Sequence, residues 1–422
     1  MSAEHAHVTE VSLEEARELF GPANMSRMRT FLASVLPDDG LKRMVYICPL
    51  GGRIGHVAIE SHQIYNMYRE ACDELVFMTN TPGEVPVNLA LMELVGRYYR
   101  VVYCPDYTLL RMGFFDMEPL DLGIATLIMR SPAGVQFEYY LHCLSGAELV
   151  YFELPEALTA KRDALCQTLG MPSGARVVTV HVRDSSYFSN VHYDSSRSTS
   201  LDGYLAMITM LLERGYWVAR IGDANMPKLP MTHERLIDAP FHDARTEFMD
   251  LCLIAASEFT VMSASGPEAI PRMLNIPAVH TNAVIHHIHS PNPRDLILPR
   301  HYVRISDGEH FSYANLLLAG LALKNVTSHY EERDARLEEN SVDEITSAVE
   351  EMIDRLAGTF DSDPAIDERF HMIGKAYEQE LRALVNESNT PIAQMQPCYA
   401  YSAPNARLAH SFVRLNPGYL DL

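Results

Sequence analysis

The sequence predicts an α/β protein of two domains, each on a parallel sheet, followed by C-terminal helices. Three observations carry this reading. Short β-prone runs alternate with longer helical ones, which implies right-handed crossovers and parallel strands. The alternation breaks at "MPSGA" (Met171–Ala175) and then restarts. Finally, 422 residues with 47% hydrophobic and 21% charged side chains can fill two ordinary cores without a metal or disulfide staple.

Residues 1–40 read as a helical segment. Ser12 to Glu15 has capping-box spacing, and Met25 to Leu36 continues at helical period. The first domain spans 41–172. There "MVYICPL" (44–50) is a buried strand, "GGRIG" (51–55) a tight loop and "HVAIESHQIYNMYREA" (56–71) a helix. "ELVFMTN" (74–80) is the second strand, "VNLALMELVGR" (87–97) a helix and "YRVVYCP" (99–105) the third strand. "YYLHC" (139–143) and "ELVYFEL" (148–154) read as further strands, and 156–170 as a helix.

The second domain spans 173–335. Its expected strands are "RVVTVHV" (176–182), "YWVARIG" (216–222), "EFTVMS" (258–263) and "IPAVHTN" (276–282). Helices fall at 200–215, with Ser200 as N-cap, at 246–257 and at 266–275. Residues 336–422 add a helix capped by Ser341 with Glu344, a long helix from Pro364, and an extended tail lying over the domains.

Lys and Arg number 34 against 55 Asp and Glu, a net charge of −21. That surface repels nucleic acid and anionic lipid as main partners, but leaves room for a local basic pocket for one small anion. The seven cysteines show no CxxC spacing and read as free thiols of a reducing cytosol. The N-terminus has no basic-then-apolar leader, and no run reaches the roughly 18 apolar residues of a transmembrane span. A cytoplasmic location is expected. The long C-terminal helix and tail suit a homodimer.

Ligands of open parallel sheets sit beyond the carboxyl ends of the strands. "VVTVHVRD" ends one such strand with His181, Arg183 and Asp184. Arg183 could hold two oxygens of a phosphate, His181 could donate to the same anion or to a sugar hydroxyl, and Asp184 could orient the arginine. An ion pair that fastens a loop is the structural alternative. "SASGPEAIPRML" (Ser263 to Leu274) opens a helix after another strand, and Ser265 and Gly266 would let the N–H groups of its first turn approach a phosphate, with Glu268 on ribose or sugar hydroxyls. Ordinary capping by Ser265 would account for the same residues. "GGRIGHVAIE" is neither Walker A nor GxGxxG, yet it places His56 and Glu60 one turn apart, facing the gap between domains, with His56 as a candidate base. The strand-end Asp223 is a further ligand contact, and Tyr187 and Arg197 follow the Arg183 strand end. His286, His287 and His289 lack the spacing of a metal set, and Asp361 to Asp363 reads as a solvated linker.

With these motifs in order, the sequence resembles a family of bacterial glycosyltransferases of GT-B type. The matching pieces are "GGRIGHVAIE", "VTVHVRDSSY", "SRSTSLDGYLAMITMLLERGYWVARIGD", "MDLCLIAASEFTVMSASGPEAIPRMLNIPAVHTN" and "LEENSVDEITSAVEEMIDRL". It is similar, more distantly, to fucosyltransferases through HxR and to heptosyltransferases through SGP. The resemblance implies two Rossmann-like domains facing across a cleft. It puts Arg183 on the diphosphate of a nucleotide-sugar, with Ser265, Gly266 and Pro267 beneath it. Gly51, Gly52 and Gly55 would line the acceptor side, and Asn282 would lie near the nucleotide or sugar. The implied reaction moves a sugar from a nucleoside-diphosphate-sugar to a small-molecule, glycan or peptide acceptor. No metal or other cofactor is required, and domain closure would expel water. A nucleotide-sugar epimerase or hydrolase, or a non-catalytic nucleotide-sugar-binding protein, fits the same residues.

Overall fold

The computed structural model describes residues 13–184, 195–284, 292–322, 326–388 and 405–422. Among these the first sheet contains β1 (Arg43–Cys48), β2 (Glu74–Asn80), β3 (Arg100–Cys104), β4 (Leu120–Asp121) and β5 (Thr126–Ile128). Their order is β3-β2-β1-β5-β4, parallel except for the antiparallel edge strand β4. All six residues of β1 are buried. A central parallel strand is covered on both faces, so it reads as a continuous apolar run with no alternation.

The second sheet contains β6 (Val177–His181), β7 (Trp217–Arg220), β8 (Leu236–Asp238), β9 (Phe259–Ser263), β10 (Ala278–Ala283) and β11 (Leu296–Pro299), all parallel. The order β11-β10-β9-β6-β7-β8 is the doubly wound Rossmann order. Its winding reverses between β6 and β9, and that of the first sheet between β1 and β5. A crevice is therefore required beyond the carboxyl ends of each pair. The chain is α/β, with two Rossmann-like domains and helices at the C-terminus.

The strands β12 (His301–Arg304) and β13 (Ala335–Glu338) form a separate antiparallel pair. The helix Val342–Ala357 follows, with a complete Ser341/Glu344 capping box and Gly358 in the left-handed conformation at its end. The next helix, Pro364–Ser388, reaches back to the first domain. There Tyr140 Oη donates to both carboxylate oxygens of Glu378, at 3.1 and 3.0 Å. The chain then returns to the open edge of β11, where Ile297 N–H donates to Arg407 O at 2.9 Å and Ala409 N–H to Ile297 O at 3.0 Å. This covers an edge that would otherwise present unpaired backbone groups.

Glu344 links these parts. Its carboxylate accepts from Ser341 N–H (2.7 Å), His301 Nε2 (2.9 Å) and Asn416 Nδ2 (2.6 Å). Burial alone would raise its pKa, but His301 and the other donors outweigh burial and bring it from 4.5 to about 2. A depressed carboxylate contributes stability that is present above the unfolded pKa and lost as pH falls through the folded one. Glu344→Gln should therefore cost on the order of 3 kcal/mol at pH 6, with the gap to the native protein closing between about pH 4.5 and 2. Urea unfolding of both proteins at pH 6 and pH 3 measures it; a gap independent of pH would contradict this role.

Two expected strands are absent. "YYLHC" lies inside the helix Pro132–Leu144. Ser131 caps that helix by accepting from Gly134 N–H, Pro132 presets the first turn, and the aromatics become its buried face. "ELVYFEL" runs extended without a ladder. The side chain of Asn66 replaces the missing strand partner, accepting from Val150 N–H at 2.7 Å and donating to Val150 O at 3.0 Å.

The domains do not merely face each other. One apolar cluster runs through both, joining Tyr46, Val57 and Ile64 of the first to Ile221, Met249, Ile270 and Met273 of the second. Interfaces that permit hinge motion are ordinarily smaller and more polar. An open state of the kind that domain closure implies would have to break this contact. Cys48, Cys72, Cys104, Cys143, Cys166 and Cys252 are unbridged, and Cys398 lies outside the described residues. Among the described residues no helix is long and apolar enough to cross a membrane.

Candidate functional site

The carboxyl ends of the two central strands, β1 and β9, are brought together by a glycine crossing. A Cβ on Gly55 would lie 2.8 Å from Gly266 Cα and 3.0 Å from Gly266 O. Only two glycines allow the backbones this approach. Gly51 and Gly52 are also held tightly. Gly51 N–H donates to Asn80 Oδ1 at 2.9 Å, and a Cβ there would meet Thr79 Oγ1 at 2.1 Å. A Cβ on Gly52 would meet Val85 Cβ at 3.2 Å. Expected to line a cleft, these two glycines pack on the end of β2 and the loop after it.

The residue after Gly55 is His56, in the first turn of the helix Ile54–Tyr68. Its Nδ1 lies 2.6 Å from Glu60 Oε1, and Tyr46 Oη donates to Glu60 Oε2 at 2.7 Å. Glu60 is 0% exposed and does not face the gap between domains, whereas the His56 side chain is 28% exposed. Glu60 is buried because its side of the helix packs on β1, where it meets Tyr46. A carboxylate can only accept, so Nδ1 carries the hydrogen of the neutral imidazole and Nε2 presents a lone pair. Burial, and then Glu60, push the Tyr46 phenol far above its usual pKa, so it remains a donor. Tyr46 was not legible as a functional residue. Its strand registers only as apolar, and no local signal reports that its hydroxyl meets a helix.

On the second-domain side, Arg183 and Asp184 are half-buried just past β6. Arg183 N–H donates to Ser263 Oγ at 2.7 Å, directly across the switch between β6 and β9. Ser263 is thus a strut between the two strand ends. Thr199 N–H donates to Arg183 O at 2.9 Å, which brings Arg197 into the same neighbourhood. His181 is 6% exposed, and Nδ1 lies 3.3 Å from Ile221 O. A carbonyl only accepts, so Nδ1 bears the hydrogen and Nε2 is an acceptor, buried and without a partner among the described residues. Burial, aided by the Arg183 charge, lowers its pKa to about 4. His181 is therefore placed to accept from a hydroxyl, and the expected donation to an anion does not match its neutral form.

Ser265 has extended backbone and makes no side-chain cap, so capping does not explain it. Glu268 lies 3.9 Å from Arg272 Nη2 and 3.7 Å from His280 Nδ1. His280 Nε2 lies in turn 3.1 Å from Asp295 Oδ2. Burial and Arg272 push the His280 pKa down, but the two carboxylates outweigh them and raise it. Glu268 is thus committed to a buried charge row that holds the turn beneath Gly266. Asp223 Oδ1 accepts from Asn225 N–H at 2.8 Å and closes its own turn. Asn282 does not reach the crevice. It is 0% exposed and exchanges two hydrogen bonds with Asn340, at 2.6 and 2.7 Å, while donating to Tyr204 Oη at 3.0 Å. Its φ of 49° suits asparagine at a strand bend, which accounts for the residue without a ligand. Tyr187, His286, His287 and His289 lie outside the described residues. Asp361 to Asp363 are exposed, as expected of a linker, and among the described residues no three His, Cys, Asp or Glu side chains form a metal-binding group.

No protein-family model and no curated protein matches the sequence. Among solved structures the chain is similar to E. coli ADP-heptose LPS heptosyltransferase II, with TM-score 0.36 and 13% identity over 61% of this chain and 90% of that one. It is similar also to a family 9 glycosyl transferase from Veillonella parvula, with TM-score 0.38 and 9% identity over 61% and 86%. For E. coli heptosyltransferase WaaC with ADP-2-deoxy-2-fluoro heptose the values are 0.31 and 10%, over 61% and 92%. Similarities of this size assign no residue role and no activity to this chain.

Proposed function

We propose that the protein is a glycosyltransferase that moves a sugar from a nucleoside-diphosphate-sugar to an acceptor hydroxyl without a metal. The observation that carries this reading is the buried Glu60 joining Tyr46 to His56, one residue from the contact between the two switch-point ends. A histidine oriented by a buried carboxylate is the usual arrangement of a general base.

In this reading the acceptor hydroxyl gives its proton to His56 Nε2 as its oxygen bonds to the anomeric carbon. The bond from that carbon to the diphosphate breaks, and its electron pair leaves with the diphosphate. The sugar passes through an oxocarbenium-like state, and charge grows on the leaving group. Arg183 and the backbone N–H groups of Ser265 and Gly266 would stabilise that charge. Arg197 is a second cation nearby, and His181 Nε2 is an acceptor for a sugar or ribose hydroxyl.

Thermal stabilisation by UDP, GDP, dTDP, CMP and ADP, each alone and as a sugar conjugate, tests the donor site. At a hundredfold excess over Kd a bound ligand adds about 2.7 kcal/mol. That amounts to a rise of several degrees in the native protein, and Arg183→Ala should lose it. Equal shifts in both proteins would remove the pyrophosphate from this crevice.

A further inference from the structure

We propose a second ligand site, at the β11 edge of the second-domain sheet, that binds a small phosphorylated molecule carrying a flat apolar group. A cavity of about 270 Å³ lies between the segment leading into β11 and the C-terminal helices. Arg294, Arg355 and Arg407 line it, together with Met352, Leu356 and Phe360, and no carboxylate is among its lining residues. In a chain of net charge −21, three guanidinium groups around one cavity are a local reversal of sign.

The positive charge is only partly compensated. Arg294 donates to Asn275 Oδ1 at 2.9 Å and to Asn275 O, and among the described residues it meets no carboxylate. Arg407 Nε is 3.6 Å from Asp367 Oδ2, a loose pair, and Asp367 also faces His410. Arg355 Nε donates to Glu351 Oε1 at 2.8 Å. Its Nη2 is equally near that oxygen but lies off the hydrogen-bonding direction, so its N–H groups are buried without an acceptor. Glu351 itself is shared with the start of the last helix, accepting from His410 N–H at 3.1 Å and Ser411 N–H at 2.7 Å.

Guanidinium forks suit the several terminal oxygens of a phosphate, which can accept from more than one arginine. Phe360 is fixed between Arg355, 4.2 Å from its centroid, and Arg414, at 5.3 Å. With Met352 and Leu356 it supplies an apolar wall. The volume is at the lower end of small-molecule sites, so the ligand is small. Arg294 precedes the amino end of β11, whereas the crevice at Arg183 lies beyond carboxyl ends. The two sites are therefore separable by mutation, and this one does not depend on the proposed transferase activity.

Calorimetric titration of the full chain with phenyl phosphate, inorganic phosphate and phenol tests the site. Phenyl phosphate should bind with one-to-one stoichiometry, more tightly than inorganic phosphate, and phenol should not bind. Arg183→Ala should leave this unchanged. Arg407→Gln should weaken it at least tenfold, and Leu356→Trp, which fills the cavity without changing charge, should abolish it. Binding that is absent in the native protein, that survives both of these substitutions, or that disappears in Arg183→Ala would overturn the proposal.

Discussion

His56→Ala is expected to lower the rate of sugar transfer by about two to four orders of magnitude, the usual worth of a positioned general base. The loss should fall on kcat, because in the proposed mechanism His56 touches the reacting hydroxyl and not the leaving diphosphate. Thermal stabilisation by a nucleoside diphosphate should persist, since Arg183 and the turn at Gly266 are intact. Glu60→Gln should cost less than His56→Ala: an amide oxygen can still accept from Nδ1, but it no longer carries the charge that stabilises the protonated imidazole. Release of nucleoside diphosphate at saturating donor, followed with each variant once an acceptor is in hand, reads both effects. Unchanged kcat in His56→Ala would remove the base from this mechanism.

Gly55→Ala is expected to destabilise the protein through the contact between its two domains. The new Cβ would sit 2.8 Å from Gly266 Cα and 3.0 Å from Gly266 O. Both contacts are backbone, so no side chain can swing away, and one domain must move against the other. Overpacking of this kind costs about 1–3 kcal/mol. The melting temperature should fall by roughly 1–3 °C, and transfer should fall with it, since His56 is the next residue. Gly203→Ala is the control: its nearest neighbour, Ile345 Cδ1, would be an ordinary 3.8 Å away. Equal melting temperatures for the Gly55 and Gly203 variants would mean that the crossing is not as tight as described.

What could be read from the sequence divides along physical lines. β1, β2, β6, β9 and β10 are buried on both faces, and their apolar runs announce them. β4, β5 and β8 are two or three residues long, too short to carry a period, and none is among the expected strands. The capping box at Ser341 is local chemistry and was legible. The replacement of a strand partner by Asn66 is tertiary and was not. The site follows the same rule. The ends of β6 and β9 could be found because topology alone dictates where a doubly wound sheet opens. That Gly55 would touch Gly266, that Glu60 would be sealed beneath His56, and that Asn282 would be spent on Asn340 depend on contacts between distant segments. Helical spacing placed His56 and Glu60 together but could not say which of them faces solvent.

The apolar continuity across the domains bears on how a substrate gets in. Prising the halves apart would wet Ile221, Ile270 and Met273 along with their partners, a free-energy cost proportional to every square ångström exposed. A clamshell stroke would carry that cost each time the halves opened. In the transferase reading proposed above, reactants would instead enter and leave by the rim of the crevice, past a floor that stays shut.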